Sequence, residues 1–321
     1  MILLTRDDLR GLLEPAAVLE TVEEALRMEH AGTVRWSDPA NLRIAGGPGQ
    51  GRLRVKACSL DGPGVTGVRV LHFPAAGAET RWILLFDALS GEPLAIVDEA
   101  ATFGERSFAS VALVAHRVRA DPVDTVAILG AGRIARAALP YAANRFPGAA
   151  VVFAARRGPA AAALATLASE RHALRATSTS FETAVRTAQV VFGCTSSTEP
   201  LVREPWVAPG TVIASLEPRE LEPALFASAD LRIIDAREPL REELDEAFGP
   251  GASERVDATM AEIVGGVHPG RTTASQRIVI VSQGLVSQDV LLAERVFHEA
   301  VARGIGTEIP LPALISRGPE R

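Results

Sequence analysis

The chain has 321 residues, 47% hydrophobic and 22% charged, with a formal net charge of −6. That length suits two domains with a core each, and the acidic balance excludes a general nucleic-acid binder, which needs a basic excess. Two cysteines, Cys58 and Cys194, are too few for a disulfide framework or a zinc site, and no apolar run reaches the roughly 20 residues of a membrane span, so a metal-free cytoplasmic protein is expected.

Taken in order, the chain opens without the basic, then apolar, pattern of a signal peptide. Thr5 with Asp8 three residues on reads as a capping box for a short helix. Pro15 starts a second helix, with Val18, Leu19, Val22, Ala25 and Leu26 on one face and Gly32 closing it. From Arg35 to Val97 the texture changes to short apolar runs between Gly and Pro. Leu53–Ser59, Gly67–Phe73 and Trp82–Asp87 are predicted strands of an antiparallel sheet, and Asp87–Glu92 is a turn. Thr102–Val118 is a predicted helix, ended by Ala120-Asp121-Pro122. Residues 1–119 therefore read as an α+β domain.

The stretch Asp124–Arg157 organises the rest. A buried parallel strand, Val126–Leu129, runs into Gly130-Ala131-Gly132-Arg133-Ile134-Ala135, then a helix to Phe146 containing Pro140, then a strand Val151–Ala155. Strand, G-x-G-x-x-A, helix, strand is the Rossmann dinucleotide fingerprint. The glycines permit the turn and the approach of a pyrophosphate, and the helix N-terminus offers its N–H groups. The second strand ends in Ala154-Ala155-Arg156-Arg157, with no acid for a ribose 2′-hydroxyl. Two guanidiniums there, and Arg133 at the positive end of a helix, suit a 2′-phosphate; NADP(H) is expected over NAD(H). Ordinary solvated loop charges are the alternative. Further on, Pro159–Arg171 and Glu182–Thr187 read as helices and Val190–Thr195, Thr211–Leu216, Leu231–Asp235 and Arg277–Ser282 as strands. Val286–Ala302 reads as a long helix that Gly304-Ile305-Gly306 breaks. The expected fold is α/β: a Rossmann domain over 120–302, with 303–321 returning to the first domain.

Ligands of such domains lie outside the carboxyl ends of the strands. The groups placed there are the glycine turn, Cys194-Thr195-Ser196, and Ser215-Leu216-Glu217. The hydroxyls there can bond ribose or nicotinamide, or merely cap the next helix. Glu217 can hold a substrate amine, or be solvated. On the other domain, alternation puts Arg54, Lys56 and Cys58 on one strand face. By residue type alone Lys56 reads as a solvated edge lysine, and Arg106 as a plain helix arginine. Arg35 and Arg43 are loop candidates for a substrate carboxylate. The six histidines show no metal spacing.

Several segments together resemble the ornithine cyclodeaminase/mu-crystallin family almost end to end. They are Arg54-Val55-Lys56, Leu85-Phe86-Asp87-Ala88-Leu89-Ser90-Gly91-Glu92, Thr102 through Arg106 to Ala109, Cys194-Thr195-Ser196-Ser197-Thr198-Glu199-Pro200, Trp206-Val207-Ala208-Pro209-Gly210, Glu262-Ile263-Val264-Gly265-Gly266 and Ser282-Gln283-Gly284-Leu285. The resemblance implies an NAD(P)H-dependent oxidoreductase acting on the C–N bond of an α-imino or amino acid. It also implies a homodimer built through the first domain's sheet, and an active site in which Lys56, Arg106 and an upstream arginine bind the carboxylate. Arg35 is the best-spaced upstream arginine. Alternatives within the family are an ornithine- or lysine-type cyclodeaminase and a mu-crystallin-like binding protein. The chain departs from the pattern where the cyclodeaminases carry a catalytic aspartate: the loop is shortened to Ser215-Leu216-Glu217-Pro218-Arg219-Glu220-Leu221-Glu222 and holds none. Glu217 is the acid that could stand in for it, and with the aspartate missing and the loop shortened no ammonia release from ornithine or lysine is expected.

Overall fold

The computed structural model describes residues 1–47 and 49–311, Pro239 by its backbone alone. The chain divides into two compact units. One comprises Met1–Glu14, Ala31–Thr102 and the chain from Val286; the other comprises Pro15–His30 and Phe103–Leu285. This division departs from the expected 1–119 and 120–302. The segment Pro15–His30 counts with the dinucleotide unit, where Glu23 pairs with Arg117 at 2.7 Å. The helix Val286–Arg303 counts with the first unit, because its apolar face packs on that unit's sheet. Of the 303–321 segment, 303–311 belong to the first unit and 312–321 lie outside the described residues.

In the first unit, β1 (Ile2–Leu4), β2 (Val34–Trp36), β3 (Leu42–Ala45), β4 (Arg52–Leu60), β5 (Val65–Phe73), β6 (Thr80–Asp87) and β7 (Pro93–Asp98) form one sheet. The strand Thr307–Glu308 adds an edge beside β1, and the order continues β7, β6, β5, β4, β2, with β3 also on β4. The predicted strands became β4, β5 and β6, antiparallel neighbours. In β5 the odd positions Val65, Gly67, Arg69 and Leu71 are buried, and in β4 Lys56, Cys58 and Leu60 are buried. Register puts these on one face. The long C-terminal helix lies across it, and Gly67 permits the approach: a Cβ there would overlap the Val290 side chain. The expected helix at Thr5 is not formed. Asp8 accepts bonds from the Thr5 N–H (2.8 Å) and hydroxyl (2.6 Å), but residues 6–12 are turns whose single i→i+4 and scattered i→i+3 bonds do not propagate.

The second unit contains β8 (Thr125–Leu129), β9 (Ala150–Ala154), β10 (Arg175–Ser178), β11 (Val190–Gly193), β12 (Val212–Ser215), β13 (Leu231–Ile234), β14 (Ala258–Thr259) and β15 (Ile278–Val281). Their order is β10-β9-β8-β11-β12-β15-β13-β14, and every pairing is parallel. This is the doubly wound arrangement, its central strands apolar because both faces are covered. The core beside it includes Leu129, Val191, Ile213, Phe226 and Val279. The helix Arg133–Arg145 continues through Pro140. Among the described residues no helix is long and apolar enough to cross a membrane, and no group of three acids, histidines or cysteines is placed to hold a metal.

Candidate dinucleotide and substrate site

The glycine turn sits where β8 ends. Gly130 has φ +127°, and a Cβ there would stand 2.7 Å from the Cys194 carbonyl oxygen; its N–H donates to the Ala154 carbonyl at 2.7 Å. Only glycine meets both conditions without strain. Gly132 caps the helix Arg133–Arg145 with no side-chain hydrogen bond to its first turn, and nothing lies within 4 Å of where its Cβ would project. Open space over uncapped N–H groups fits a dinucleotide's phosphates. Ala131 and Ile134 are half-buried in the turn, while Arg133 and, beyond β9, Arg156 and Arg157 are exposed.

Arg106 is buried on the helix Glu99–Val118. Its guanidinium carbon lies 5.6 Å from the Phe103 ring centre, and that of Arg133 lies 5.2 Å from the same ring. The aromatic ring thus ties Arg106 to the glycine turn. Gly284, at φ +86°, leaves room for the Arg106 guanidinium, which any Cβ there would overlap. The Asp235 carboxylate, at the carboxyl end of β13, holds that loop by accepting from the N–H groups of Gln283 (2.5 Å) and Gly284 (2.8 Å). The sequence pattern does not single out Asp235; its only signal is an acid closing the apolar run Leu231–Ile234.

The acid at the ends of β11 and β12 is Glu220, not Glu217. Glu217 caps its own short turn and pairs with Arg219 at 3.0 Å. Glu220 is fully buried. It accepts from the Thr195 N–H at 2.7 Å and from the Thr195 hydroxyl, and its other oxygen lies 2.7 Å from Ser215 Oγ. Burial pushes it up to about 7, against those hydrogen bonds. Gly193 makes the space, since a Cβ there would overlap the carboxylate. Ser215, expected at the cofactor, is fully buried, and its hydroxyl also contacts the Glu217 carbonyl at 2.7 Å. It therefore braces the wall instead of facing a ligand. The Cys194 thiol is buried too, pushed well up by burial and by Glu220. Ser196 is exposed and Thr195 half-buried beside the turn.

In the first unit Lys56 is only 5% exposed, so the edge-lysine reading fails: β4 has neighbours on both sides. Arg35 is also corrected. It stands opposite Ser59, on the other face of β4 from Lys56, and its exposed guanidinium is engaged by Asp61 at 3.0 and 2.9 Å. Arg43, directly opposite Arg54, is the upstream arginine on the Lys56 face.

A doubly wound sheet with an uncapped glycine turn, joined to an α+β unit with a buried lysine, defines a dinucleotide-binding protein with a second, substrate-type unit. The chain belongs to the ornithine cyclodeaminase/mu-crystallin family, whose model matches residues 1–304. It is 25% identical over 323 aligned residues to the alanine dehydrogenase of Archaeoglobus fulgidus, covering 96% of this chain and 98% of that one. It is 29% identical over 220 residues to the ketimine reductase mu-crystallin of Rattus norvegicus, covering 67% and 68%. Among solved structures, the Δ1-pyrroline-2-carboxylate reductase of Thermococcus litoralis, in complex with NADH and L-proline, superposes with a TM-score of 0.88 at 22% identity. That likeness covers 96% of this chain and all of the other.

Proposed function

We propose that this protein is an NADP-preferring oxidoreductase that reduces the C–N double bond of an α-imino acid, in the manner of a ketimine or cyclic imino-acid reductase. The observation that carries the reading is Lys56, a buried lysine on the covered face of the first unit's sheet in a member of this family. The family resemblance gives Lys56 a substrate carboxylate to hold, and burial strengthens such a charge-assisted contact. A nicotinamide dinucleotide, when bound, supplies the exchange of hydride. The chain's own groups do the rest: the Gly130–Gly132 turn and the following helix N-terminus bind the phosphates, Lys56 and Arg43 on the first unit supply cations for the carboxylate, and Arg106 supplies a cation beside the glycine turn on the second. Position and preorganised charge give most of the rate. Asp235 keeps the Gly284 loop in the shape that Arg106 needs.

The exposed Arg156 and Arg157, with no acid at the end of β9, favour the 2′-phosphate of NADP(H). The relative from Thermococcus litoralis was solved with NADH, so the choice is a property of this chain's strand end. A homodimer through the first unit's sheet goes with the reading, and the exposed Leu42 and Ile44 on β3 favour it. Glu217 is tied to Arg219, which leaves no counterpart of the cyclodeaminase aspartate and favours reduction over ring closure with loss of ammonia.

The deciding experiment runs pyrroline-2-carboxylate with excess NADPH beside ornithine with catalytic dinucleotide. The expected result is stoichiometric NADPH oxidation in the first and neither ammonia nor proline in the second. Proline from ornithine without net cofactor turnover would make the protein a cyclodeaminase; binding without any turnover would make it a binding protein. NADPH should bind at least tenfold tighter than NADH, one charge-assisted bond being worth about 1.5–3 kcal/mol. Arg156→Glu should erase that preference, and equal affinities in the parent would remove it.

A further inference from the structure

We infer that Glu220 is a positioning residue for the dinucleotide: as the neutral acid, it holds the loop from Thr195 to Val202 against the glycine turn. The inference rests on the dinucleotide part of the reading above and is indifferent to the substrate. Its basis is that one residue fastens both ends of that loop. At the start, one carboxyl oxygen accepts from the Thr195 N–H at 2.7 Å and from the Thr195 hydroxyl. At the end, the Glu220 carbonyl accepts from the N–H groups of Leu201 at 2.7 Å and Val202 at 3.0 Å. Between them, Thr195 Oγ1 accepts from the Ser197 N–H at 3.0 Å, and the Ser197 hydroxyl donates to the Glu199 carbonyl at 2.9 Å. Thr195 and Ser197 are thus engaged within the loop, and Ser196 between them is left exposed beside the turn.

The start of the loop is the back of the glycine turn. The Cys194 N–H donates to the Leu129 carbonyl at 2.8 Å. The Cys194 carbonyl oxygen and the Thr195 methyl are the atoms that a Cβ on Gly130 would meet, at 2.7 and 3.2 Å. Moving Thr195 therefore moves the wall on which Gly130 is set. The proton matters for two reasons. With it, Glu220 can donate to Ser215 Oγ while Ser215 donates to the Glu217 carbonyl, both contacts being 2.7 Å. Without it, the single Ser215 proton serves only one of these oxygens, and the other contact is lost as a hydrogen bond. A buried anion would also stand behind Thr195, on the side of the turn that receives a pyrophosphate, and like charges repel most in a medium of low polarity. The groups around Glu220 reinforce neutrality. Glu217, in the same turn, and the Cys194 thiol, at the end of β11, are both acids that act on it, and an acid nearby disfavours a second negative charge. The Arg219 guanidinium is paired with Glu217 instead. Glu243 and Glu246, on the helix Arg237–Phe248 packed against that turn, act on Arg219.

The test titrates the full chain with NADH, whose pyrophosphate keeps its charge near neutral pH, and reads the nicotinamide fluorescence. The acid of the free protein titrates at about 7. The bound state holds that proton more tightly, so above 7 the complex carries more protons than the free protein and affinity falls as pH rises. Between about pH 6.5 and about pH 8 the Kd of the parent should rise roughly tenfold, the slope of one linked proton. Glu220→Gln, which copies the neutral acid, should match the parent at the lower pH and keep that Kd at the higher. Glu220→Ala keeps the carbonyl bonds to Leu201 and Val202, loses the hold on Thr195, and should bind more weakly than the parent at the lower pH. A brace with no bearing on the ligand would leave the pH profile of Kd the same in parent and Glu220→Gln. Equal profiles, a Glu220→Gln variant weaker than the parent throughout, or a Glu220→Ala variant as tight as the parent overturns the inference and leaves the dinucleotide reading standing. A parent that binds neither NADH nor NADPH overturns both.

Discussion

Ser215 has one hydroxyl proton and two close oxygens, the Glu217 carbonyl and a Glu220 carboxylate oxygen, each at 2.7 Å. If the proton goes to the carbonyl, the Glu220 contact is a hydrogen bond only when Glu220 itself carries a proton. Its burial points the same way, raising it from 4.5 to about 7. The sign follows by linkage. The unfolded chain releases this proton near 4.5 and the folded chain near 7, so between those values the folded state binds more protons and stability falls as pH rises. The loss is complete above about 7. Its size is the shift, 7 − 4.5 = 2.5, times about 1.4 kcal/mol, or roughly 3 kcal/mol. Glutamine copies the neutral acid: its amide can donate to Ser215 and its oxygen can accept both Thr195 bonds. Glu220→Gln should therefore match the parent near pH 4.5 and be more stable by about 3 kcal/mol at pH 8, seen in denaturant unfolding as a flatter stability–pH curve. Parallel curves for the two proteins would refute the reasoning, and so would a variant weaker than the parent at every pH.

Two further outcomes follow from the geometry. Lys56→Ala should leave dinucleotide binding intact, measured by fluorescence titration, while lowering kcat by about a hundredfold, the scale of one preorganised donor; unchanged turnover would remove Lys56 from the site. Gly67→Ala should destabilise the protein by about 1–3 kcal/mol through overlap with Val290, and Val290→Ala should relieve much of that in the double variant, a coupling a thermodynamic cycle reads directly.

What could be read from the sequence was local. The strand–glycine–helix–strand unit needs only neighbouring residues, so β8, its turn and β9 stand where the pattern put them, and the alternation of β4 to β6 is equally self-contained. Pairings that close over long separations were not legible. The strand Ile2–Leu4 is held by Pro93–Asp98 on one side and by Thr307–Glu308 on the other, and three-residue strands carry too little pattern to announce it. The helix Val286–Arg303 is amphipathic wherever it packs, and its packing across the sheet, as where Gly67 meets Val290, assigns it to the first unit. Arg35 and Arg43 look alike as loop arginines. The register across a glycine-rich connection decides which of them shares the face of Lys56, and a shift of one residue would exchange the faces.

The same limit explains the choice between the two glutamates. Glu217 follows a strand end directly and so looks functional, while Glu220 sits among Arg219, Leu221 and Glu222 like a surface charge. The turn Pro218–Glu220 reverses this by bringing Glu220 back under the strand ends, into the space that Gly193 leaves open. Burial then separates the roles. An acid sealed from solvent and bonded to Thr195 and Ser215 holds the wall of the site and has no path to exchange protons with a substrate amine. An acid that caps its own turn and pairs with Arg219 at 3.0 Å has its carboxylate taken up by that turn. Neither glutamate is free to manage the protons of a side-chain amine through ring closure and loss of ammonia. Reduction of a preformed imine asks less, one proton at nitrogen that water can deliver, and the proposed reductase reading makes no further demand on this pair of carboxylates.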